Sequence, residues 1–428
     1  MKQLFNKTQR AWSFYDWANS VYSLVIGTVL LPIYYEAITK DAGLERMHFL
    51  GMEFHNTELY SYTISLSFLI IALLSPYLAS LADFSGKKKA FMRVFVTIGS
   101  LACLGLFFFN ESTIWLGLTA ALLASVGFTG SLVFYNAFLP EIAKPELQDK
   151  LSARGFALGY LGSSLLLILN LMMIQKPEWF GIEHAGVSTR ISFLLVGLWW
   201  MGFSQYTFKH LPDKDRKEGE QPKNRLAHGY QKLGNVWREF REIPRLKRFL
   251  FAFFWYSTGV QTVVMLASIF GGKVLNLASD QLIISILIIQ FVAIAGALLF
   301  SRLSDKIGNI KALGIAVFIW IGVCFGAYLV EDANDFYMVG ALVGLVLGGI
   351  QSLSRSTYSK MLPETNDHAT YFSFFDVTEK VATMAGTFGI GVIESLTGDL
   401  RNAALVLMAF FILGFVQLLR IPKSKHVH

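Results

Sequence analysis

Charge is scarce in this sequence. Only 16% of its 428 residues are Asp, Glu, Lys or Arg, against about a quarter in soluble globular chains. Cysteine is scarcer still: Cys103 and Cys324 each sit inside an apolar run, which excludes a disulfide framework and metal-site spacing. There is no G-x-x-x-x-G-K-[ST] phosphate loop, so a nucleotide-driven pump is not expected, and no H-E-x-x-H. The eight histidines are scattered over loops and the C-terminus and none lies mid-span, so neither a catalytic cluster nor a histidine relay is expected. The reading is therefore of a non-enzyme with no cofactor and no metal.

What is abundant is apolar length. Hydrophobic residues make up 54% of the chain and Phe alone contributes 37. Many runs reach the roughly 20 residues that cross a bilayer as a helix. Hydropathy places spans at about 13–36, 61–82, 91–109, 113–138, 153–174, 190–207, 249–272, 281–301, 311–330, 337–360, 372–394 and 401–420. The first residues are basic and polar, and the apolar stretch after them is too long for a signal-peptide core, so it reads as a retained first span. An even number of spans puts both termini on one side. The alternate loops of that side carry 31 of the 37 basic residues; the other side has only Lys40, Arg46, Lys176, Arg190, Lys273 and Arg401. The positive-inside rule makes both termini cytoplasmic.

The loop at 209–248 holds twelve basic and six acidic residues, which is +6 of the net +7. The basic character is local and gives no reason to expect a nucleic-acid partner. Leu233, Trp237 and Phe240 recur there at helical spacing among Lys232, Arg238 and Arg241. This reads either as an amphipathic helix on the anionic inner leaflet or as a solvated linker with a short helix. The expected division is a six-helix bundle over 1–208, a linker over 209–248, and a second six-helix bundle over 249–428.

The two halves repeat. Leu81-Ala82-Asp83-Phe84-Ser85-Gly86-Lys87 follows the second span, and Leu303-Ser304-Asp305-Lys306-Ile307-Gly308 the eighth, with the aspartates 222 residues apart. Tyr135-Asn136-Ala137-Phe138-Leu139-Pro140-Glu141 matches Tyr358-Ser359-Lys360-Met361-Leu362-Pro363-Glu364 at an offset of 223. More loosely, Asn19-Ser20 corresponds to Gln261-Thr262. Parallel six-span repeats of this kind suit two bundles that rock to expose a midplane site alternately. Gly155, Gly159 and Gly162 on the fifth span, and Gly344 and Gly348 on the tenth, offer close backbone approach and are expected at sliding surfaces.

The loop Asp83 to Lys89 resembles the major facilitator signature, with Ala79 in place of its first Gly. Its second copy has Ser301, Asp305 and Gly308, and Asn309 where a basic residue is usual. An Asp at a helix end can accept from the N-terminus of a neighbouring helix, and Gly86 permits the tight turn. The resemblance makes Asp83, Gly86, Lys87, Asp305 and Gly308 a conformational latch. The opening Trp12-Ser13-Phe14-Tyr15-Asp16-Trp17-Ala18-Asn19-Ser20, the Arg154-to-Tyr160 stretch and the Gly349-to-Ser356 stretch resemble the branch of that superfamily containing the autophagy-related vacuolar amino-acid effluxers of fungi and their bacterial relatives of unassigned substrate. The likeness covers nearly the whole chain. It implies an all-α membrane protein of the major facilitator fold, with about 12 transmembrane helices in two pseudo-symmetric six-helix bundles. One departure stands out: Thr258-Gly259 replaces the usual Asp-Gly pair of the seventh span.

Polar residues deep in spans are the candidates for a substrate pathway: Asn19 and Tyr22 from the first span and Gln261 and Thr262 from the seventh, then Asn136, Asn170, Gln290 and Gln351. Each can equally be an interhelical hydrogen bond. Asp16, Glu141, Arg154, Arg355, Asp376, Glu379 and Lys380 lie near inner span ends and read as an inner gate or as static pairs at a wet interface, with Asp16 and Asp376 also candidates to couple a proton. The expected function is secondary transport of a small neutral or amphipathic solute, with amino-acid efflux favoured. A lipid-like or cell-wall-derived amphiphile is the alternative substrate, and a non-transporting receptor or scaffold of the same fold the alternative class. The chain is expected to be a monomer with membrane lipids as its other partners, in the plasma membrane of a bacterium.

Overall fold

The computed structural model describes residues 5–49, 51–213, 225–397 and 401–422. Linker residues 214–224 and the chain's last six residues lie outside it. The described chain is almost wholly helical. Helix α1 (Lys7–Val21) opens on a capping box in which Asn6 and Gln9 each accept from the other's backbone N–H, at 2.8 and 3.1 Å, so two N–H groups that an unaided helix start leaves orphaned are satisfied. A π-helical stretch, Tyr22–Leu30, joins α1 to α2 (Leu31–Asp41), and the three form one apolar rod longer than the expected first span.

The loop after it folds as a two-stranded antiparallel hairpin, β1 (Arg46–Phe49) and β2 (Met52–His55), which hydropathy alone does not announce. Then follow α3 (Asn56–Ser85), α4 (Lys88–Gly105), α5 (Ile114–Ala137), the short α6 (Leu139–Ile142), α7 (Pro145–Gln175), α8 (Ala185–His210), the linker helix α9 (Arg225–Glu242), α10 (Pro244–Lys273), α11 (Ser279–Ile307), α12 (Asn309–Leu329), α13 (Ala333–Met361), α14 (His368–Thr397) and α15 (Arg401–Leu419).

Eleven helical rods among the described residues are long and apolar enough to cross a bilayer. Helix α14, which carries Asp376, Glu379 and Lys380, is not among them. At 30 residues it still has the length of a span, and Asp376 and Lys380 are buried, as charges at such depth have to be. The expected span at 372–394 is thus present, with its charges paired internally.

Two compact units divide the chain. One comprises Met1–Ser75, Ser85–Tyr135 and Leu158–Lys217; the other comprises Pro76–Phe84, Asn136–Ala157 and Glu218–His428. The second unit therefore contains the sequence's C-terminal half together with two segments of its N-terminal half. One division falls inside α3 at Pro76, which cannot donate to the helix ladder. Gly86 (φ 71°) and Gly308 (φ 86°) occupy matching places in the repeat, closing α3 and α11 in a backbone region closed to most side chains.

Small residues set the tightest helix contacts, and these lie inside units. In the second unit, α13 lies against α11 so closely that a Cβ on Gly348 would strike the carbonyl of Ala293, and one on Gly296 that of Leu345. In the first unit, Gly159 and Gly162 pack on α1 at Ser20 and Trp17. Gly159, Gly162 and Gly348 are among the residues expected to offer close backbone approach. Gly348→Leu should cost about 3 kcal/mol or more, since the obstacle is backbone and cannot move aside. Gly322→Ala, where nothing lies within 4 Å, should be neutral. Thermal unfolding in detergent, followed by tryptophan fluorescence, checks both.

Candidate functional site

The second unit gathers polar groups where α3, α6 and α7 meet α11, α13 and α14. Asp83, near the end of α3, accepts from the backbone N–H of Thr370 at 2.8 Å and of Ala369 at 3.2 Å, and from the Thr370 hydroxyl at 2.8 Å. These N–H groups belong to the first turn of α14, the positive end of a helix dipole. Gly86 supplies the turn that follows. The three lysines after it go separate ways. Lys87 is exposed, Lys88 is buried, and Lys89 reaches Asp213 at 2.6 Å and the Leu211 carbonyl at 3.0 Å within the first unit.

The second copy of the motif works with its polarity reversed. Asp305 makes a half-exposed ion pair with Lys150 at 2.8 Å. The buried carboxylate at this place is Asp149, on the first turns of α7, with its side chain 1% exposed. It accepts from Ser304 Oγ at 2.7 Å, Asn309 Nδ2 at 2.8 Å and Lys360 Nζ at 2.7 Å. Asn309 also donates to Thr357 Oγ1 at 3.0 Å and accepts from Lys360 at 3.0 Å. The Asn that departs from the usual basic residue is thus a bridge in this cluster. A basic side chain could donate to Asp149 but could not also accept from Lys360.

Beside these, Arg355 donates from Nε to Ser152 Oγ and from Nη2 to the Ser152 carbonyl, both at 2.9 Å, and from Nη1 to Asn136 Oδ1 at 3.5 Å. Its guanidinium lies 4.2 Å from the centre of the Phe156 ring. Glu141 pairs with His368 at 3.0 Å. Sequence reading selected Glu141, Arg355, Asn136 and Asp83. It did not select Asp149, Ser152, Ser304, Asn309, Lys360 or His368 as site residues; the contacts that join α6 and α7 to α11, α13 and α14 through them span 155 to 227 residues of chain. The Asp149-Lys150 pair at a helix start was the one visible hint.

A separate group spans α10 and α14. Gln261 Nε2 donates to Glu379 Oε1 at 2.9 Å. Lys380 lies 3.4 Å from Glu379 Oε2 and 3.6 Å from Asp376 Oδ1. The expected pathway residue Gln261 and three expected gate residues therefore form one cluster, with two carboxylates around one ammonium. Thr262 is buried against α14 at Gly386. Thr258, where the usual carboxylate is missing, turns its hydroxyl back onto the Phe254 carbonyl at 2.7 Å. Gln351 and Gln290 are half-buried, Gln351 on α13 and Gln290 on α11. Arg154 lies on α7 in the same unit.

In the first unit the opening motif is a packing device. Trp12 stacks on Tyr135 with centroids 4.6 Å apart and donates to its carbonyl at 2.8 Å. The Tyr135 hydroxyl donates to Asp16 Oδ2 at 2.9 Å, so Asp16 is buried and hydrogen-bonded on the α1–α5 seam. Asn19 and Tyr22 are both buried, and Tyr22 sits between Phe128 and Trp200, with centroids 5.0 and 5.8 Å away. The exposed groups on this stretch are Ser23, Gly27 and Thr28 of the π segment. Asn170 is buried on α7.

A helical membrane chain with eleven apolar rods among its described residues and a repeated Asp-to-Gly loop fits the major facilitator class, and known structures share its fold. The human organic anion transporter MFSD10 (TETRAN) aligns over 96% of this chain and 99% of its own at a TM-score of 0.74 and 13% identity. The Escherichia coli fucose:proton symporter FucP aligns over 98% of each chain at 0.69 and 14% identity. Within that class, the chain belongs to the family described as "Vacuole effluxer Atg22 like", which matches residues 6–427. An uncharacterized MFS-type transporter, YxiO of Bacillus subtilis, is 31% identical over 99% of this chain and 97% of its own. Autophagy-related protein 22-1 of Penicillium rubens is 23% identical over 92% and 80%. The protein is thus a multi-pass membrane transporter of the major facilitator type.

The buried and exposed ion pairs of this junction should separate in a mutant cycle. Asp149→Ala and Lys360→Ala should each cost about 3 kcal/mol, because each strips a partner from a buried polar cluster, and the double variant should cost much less than their sum. Lys150→Ala, at the half-exposed pair, should stay within about 0.5 kcal/mol. Melting temperatures of the purified protein in one detergent measure all four.

Proposed function

We propose that this protein is a secondary active transporter that exports a small neutral amino acid by alternating access, through rocking of the halves 1–208 and 249–428 joined by the linker 209–248. The observation that carries the substrate reading is the group of Gln261, Asp376, Glu379 and Lys380. It offers both signs of charge, plus an amide, on neighbouring turns of two helices within membrane depth. A zwitterion has the matching pair of groups: its ammonium suits the carboxylates and its carboxylate suits Lys380. The word effluxer in the family's description supports the outward direction. The Asp83, Asp149, Arg355 and Glu141 contacts then act as an inner gate on the cytoplasmic side, the side of both termini by loop charge. They have to break as the site opens inward. The bacterial relative supports a plasma-membrane location. Asp376 and Asp16 are the carboxylates positioned to carry a coupled proton.

One feature favours the second substrate reading, a lipid-like amphiphile. The second unit holds a cavity of about 80 Å³ with an almost wholly apolar lining that includes Leu266, Phe270, Val323, Phe336 and Leu407. An acyl chain would suit it; a zwitterion would not.

Counterflow in proteoliposomes, screened with neutral amino acids in the presence and absence of a proton gradient, tests the proposal. Amino-acid counterflow and thermal stabilisation by the same compounds are expected. Glu379→Gln and Gln261→Ala should weaken that stabilisation about tenfold or more, the scale of a lost hydrogen bond to a charged group, and Asn19→Ala should weaken it as well. A response identical in all three variants would refute the assignment. Stabilisation by lysolipids alone would transfer it to the amphiphile, and no transport of any probe would leave the receptor reading. Flux that ignores the gradient would remove the proton from Asp16 and Asp376.

A further inference from the structure

The linker helix α9 spans the Asp83 latch. On one side, Tyr230 stacks on Tyr77 of α3, with centroids 4.7 Å apart and planes 28° from parallel. On the other side it touches the start of α14 in three places. Lys232 pairs with Asp367 at 2.5 Å, Glu239 accepts from the Tyr371 hydroxyl at 3.3 Å, and Trp237 and Phe240 pack on Phe374 with centroids 5.4 and 5.5 Å away. Asp367, Tyr371 and Phe374 bracket the two residues whose N–H groups hold Asp83. The α9 helix therefore contacts both members of the latch, the helix that offers the carboxylate and the helix that receives it.

At 100° per residue, α9 has three faces. Lys232, Leu233, Val236 and Phe240 form the covered one. Asn235, Glu239 and Glu242 form a polar, acidic one, open to solvent apart from the Tyr371 contact. Between them runs a stripe of Tyr230, Gly234, Trp237 and Arg241, with Arg238 at its edge. Tyr230 is 65% and Trp237 49% exposed, and Gly234, Arg238 and Arg241 are exposed too. Protein covers one face and the acidic face suits water. The remaining stripe pairs aromatic rings with guanidinium groups, the composition that settles at a bilayer surface. One residue separates α9 from the span α10, so the stripe stands close to that surface.

We propose that the Tyr230–Trp237–Arg241 stripe binds anionic phospholipid headgroups of the inner leaflet and that this contact stabilises the docked Asp83 latch, which makes α9 a lipid-dependent splint on the gate. The regulatory half rests on the cytoplasmic orientation and the gate reading proposed above; the lipid contact itself is measured without transport.

Gly234→Cys gives the probe site, because nothing lies within 4 Å of a side chain added there and both native cysteines are buried. The labelled full-length protein is placed in nanodiscs of phosphatidylcholine alone or mixed with phosphatidylglycerol, with a fraction of either lipid brominated near the headgroup. Quenching of a bimane attached to the introduced thiol should be several-fold stronger with phosphatidylglycerol and should fall to the phosphatidylcholine level in Arg238→Gln/Arg241→Gln. Amide exchange over 369–371 should slow several-fold with phosphatidylglycerol in the parent and lose that dependence in the double variant. Equal quenching in the two lipids, or quenching indifferent to the arginines, overturns the lipid contact. Quenching as expected with unchanged exchange at 369–371 overturns the splint. Both readouts stand even where counterflow finds no substrate, so failure of the transport reading is told apart.

Discussion

A carboxylate placed at a helix end, away from bulk water, has to be satisfied by the protein, and the second unit is organised around two of them. Asp83 takes the simplest solution that a helical fold offers: the free N–H groups of another helix's first turn, with a threonine hydroxyl beside them. The dipole of that helix adds partial positive charge at the carboxylate. Asp149 takes the other solution, with a lysine and two neutral donors. Undoing the first returns backbone groups to a position that water can reach. Undoing the second separates opposite charges and leaves each to be resolvated.

The repeat makes that difference intelligible. The two copies of the loop share their glycine turns, Gly86 and Gly308, but differ in where the buried acid sits. In the first half it remains on the loop. In the second half the loop acid, Asp305, is half-exposed, and the buried acid comes from the facing helix, with Ser304 and Asn309 donating. Equivalent backbone and opposite polarity preserve a hydrogen-bonded contact at each pseudo-symmetric place while removing the identity between them. An asymmetric pair gives the proposed gate two strengths of closure.

Legibility of the sequence followed the range of the interaction. Spans, glycine turns, the repeat and the linker helix are local properties, written in hydropathy and period, and the boundaries of α4, α8 and α12 fall within a few residues of expectation. The eleventh span was legible by length although it carries charges, and those charges pair with one another, Glu379 also with Gln261. Asp83 was readable because its partner is a helix start, which needs no particular side chain. Asp149 was not, because its partners are Ser304, Asn309 and Lys360, ordinary residues given meaning only by packing. Asp16 and Tyr22 stand on the other side of the same divide: their polar atoms were visible at the head of the first span, while the neighbours that enclose them, Tyr135, Phe128 and Trp200, were not. The hairpin at 46–55 and the π stretch at 22–30 carry no strong periodic mark at all.

Helix α14 is where these elements converge. Its first turn receives Asp83, its first and second turns carry Tyr371 and Phe374 against the linker helix, and its third and fourth carry Asp376, Glu379 and Lys380 beside Gln261. An α-helix is stiff along its axis, so a ligand at the proposed site that draws Glu379 away from Gln261 acts on the same helix whose N-terminus holds Asp83. That is a physical route from an ion cluster to a helix end some twelve residues away, about 18 Å at 1.5 Å per residue, and it requires no relay of side chains. Chemistry at α14 alone would then alter both substrate affinity and the stability of the closed junction, whereas substitutions at Asp149 would alter the second without the first.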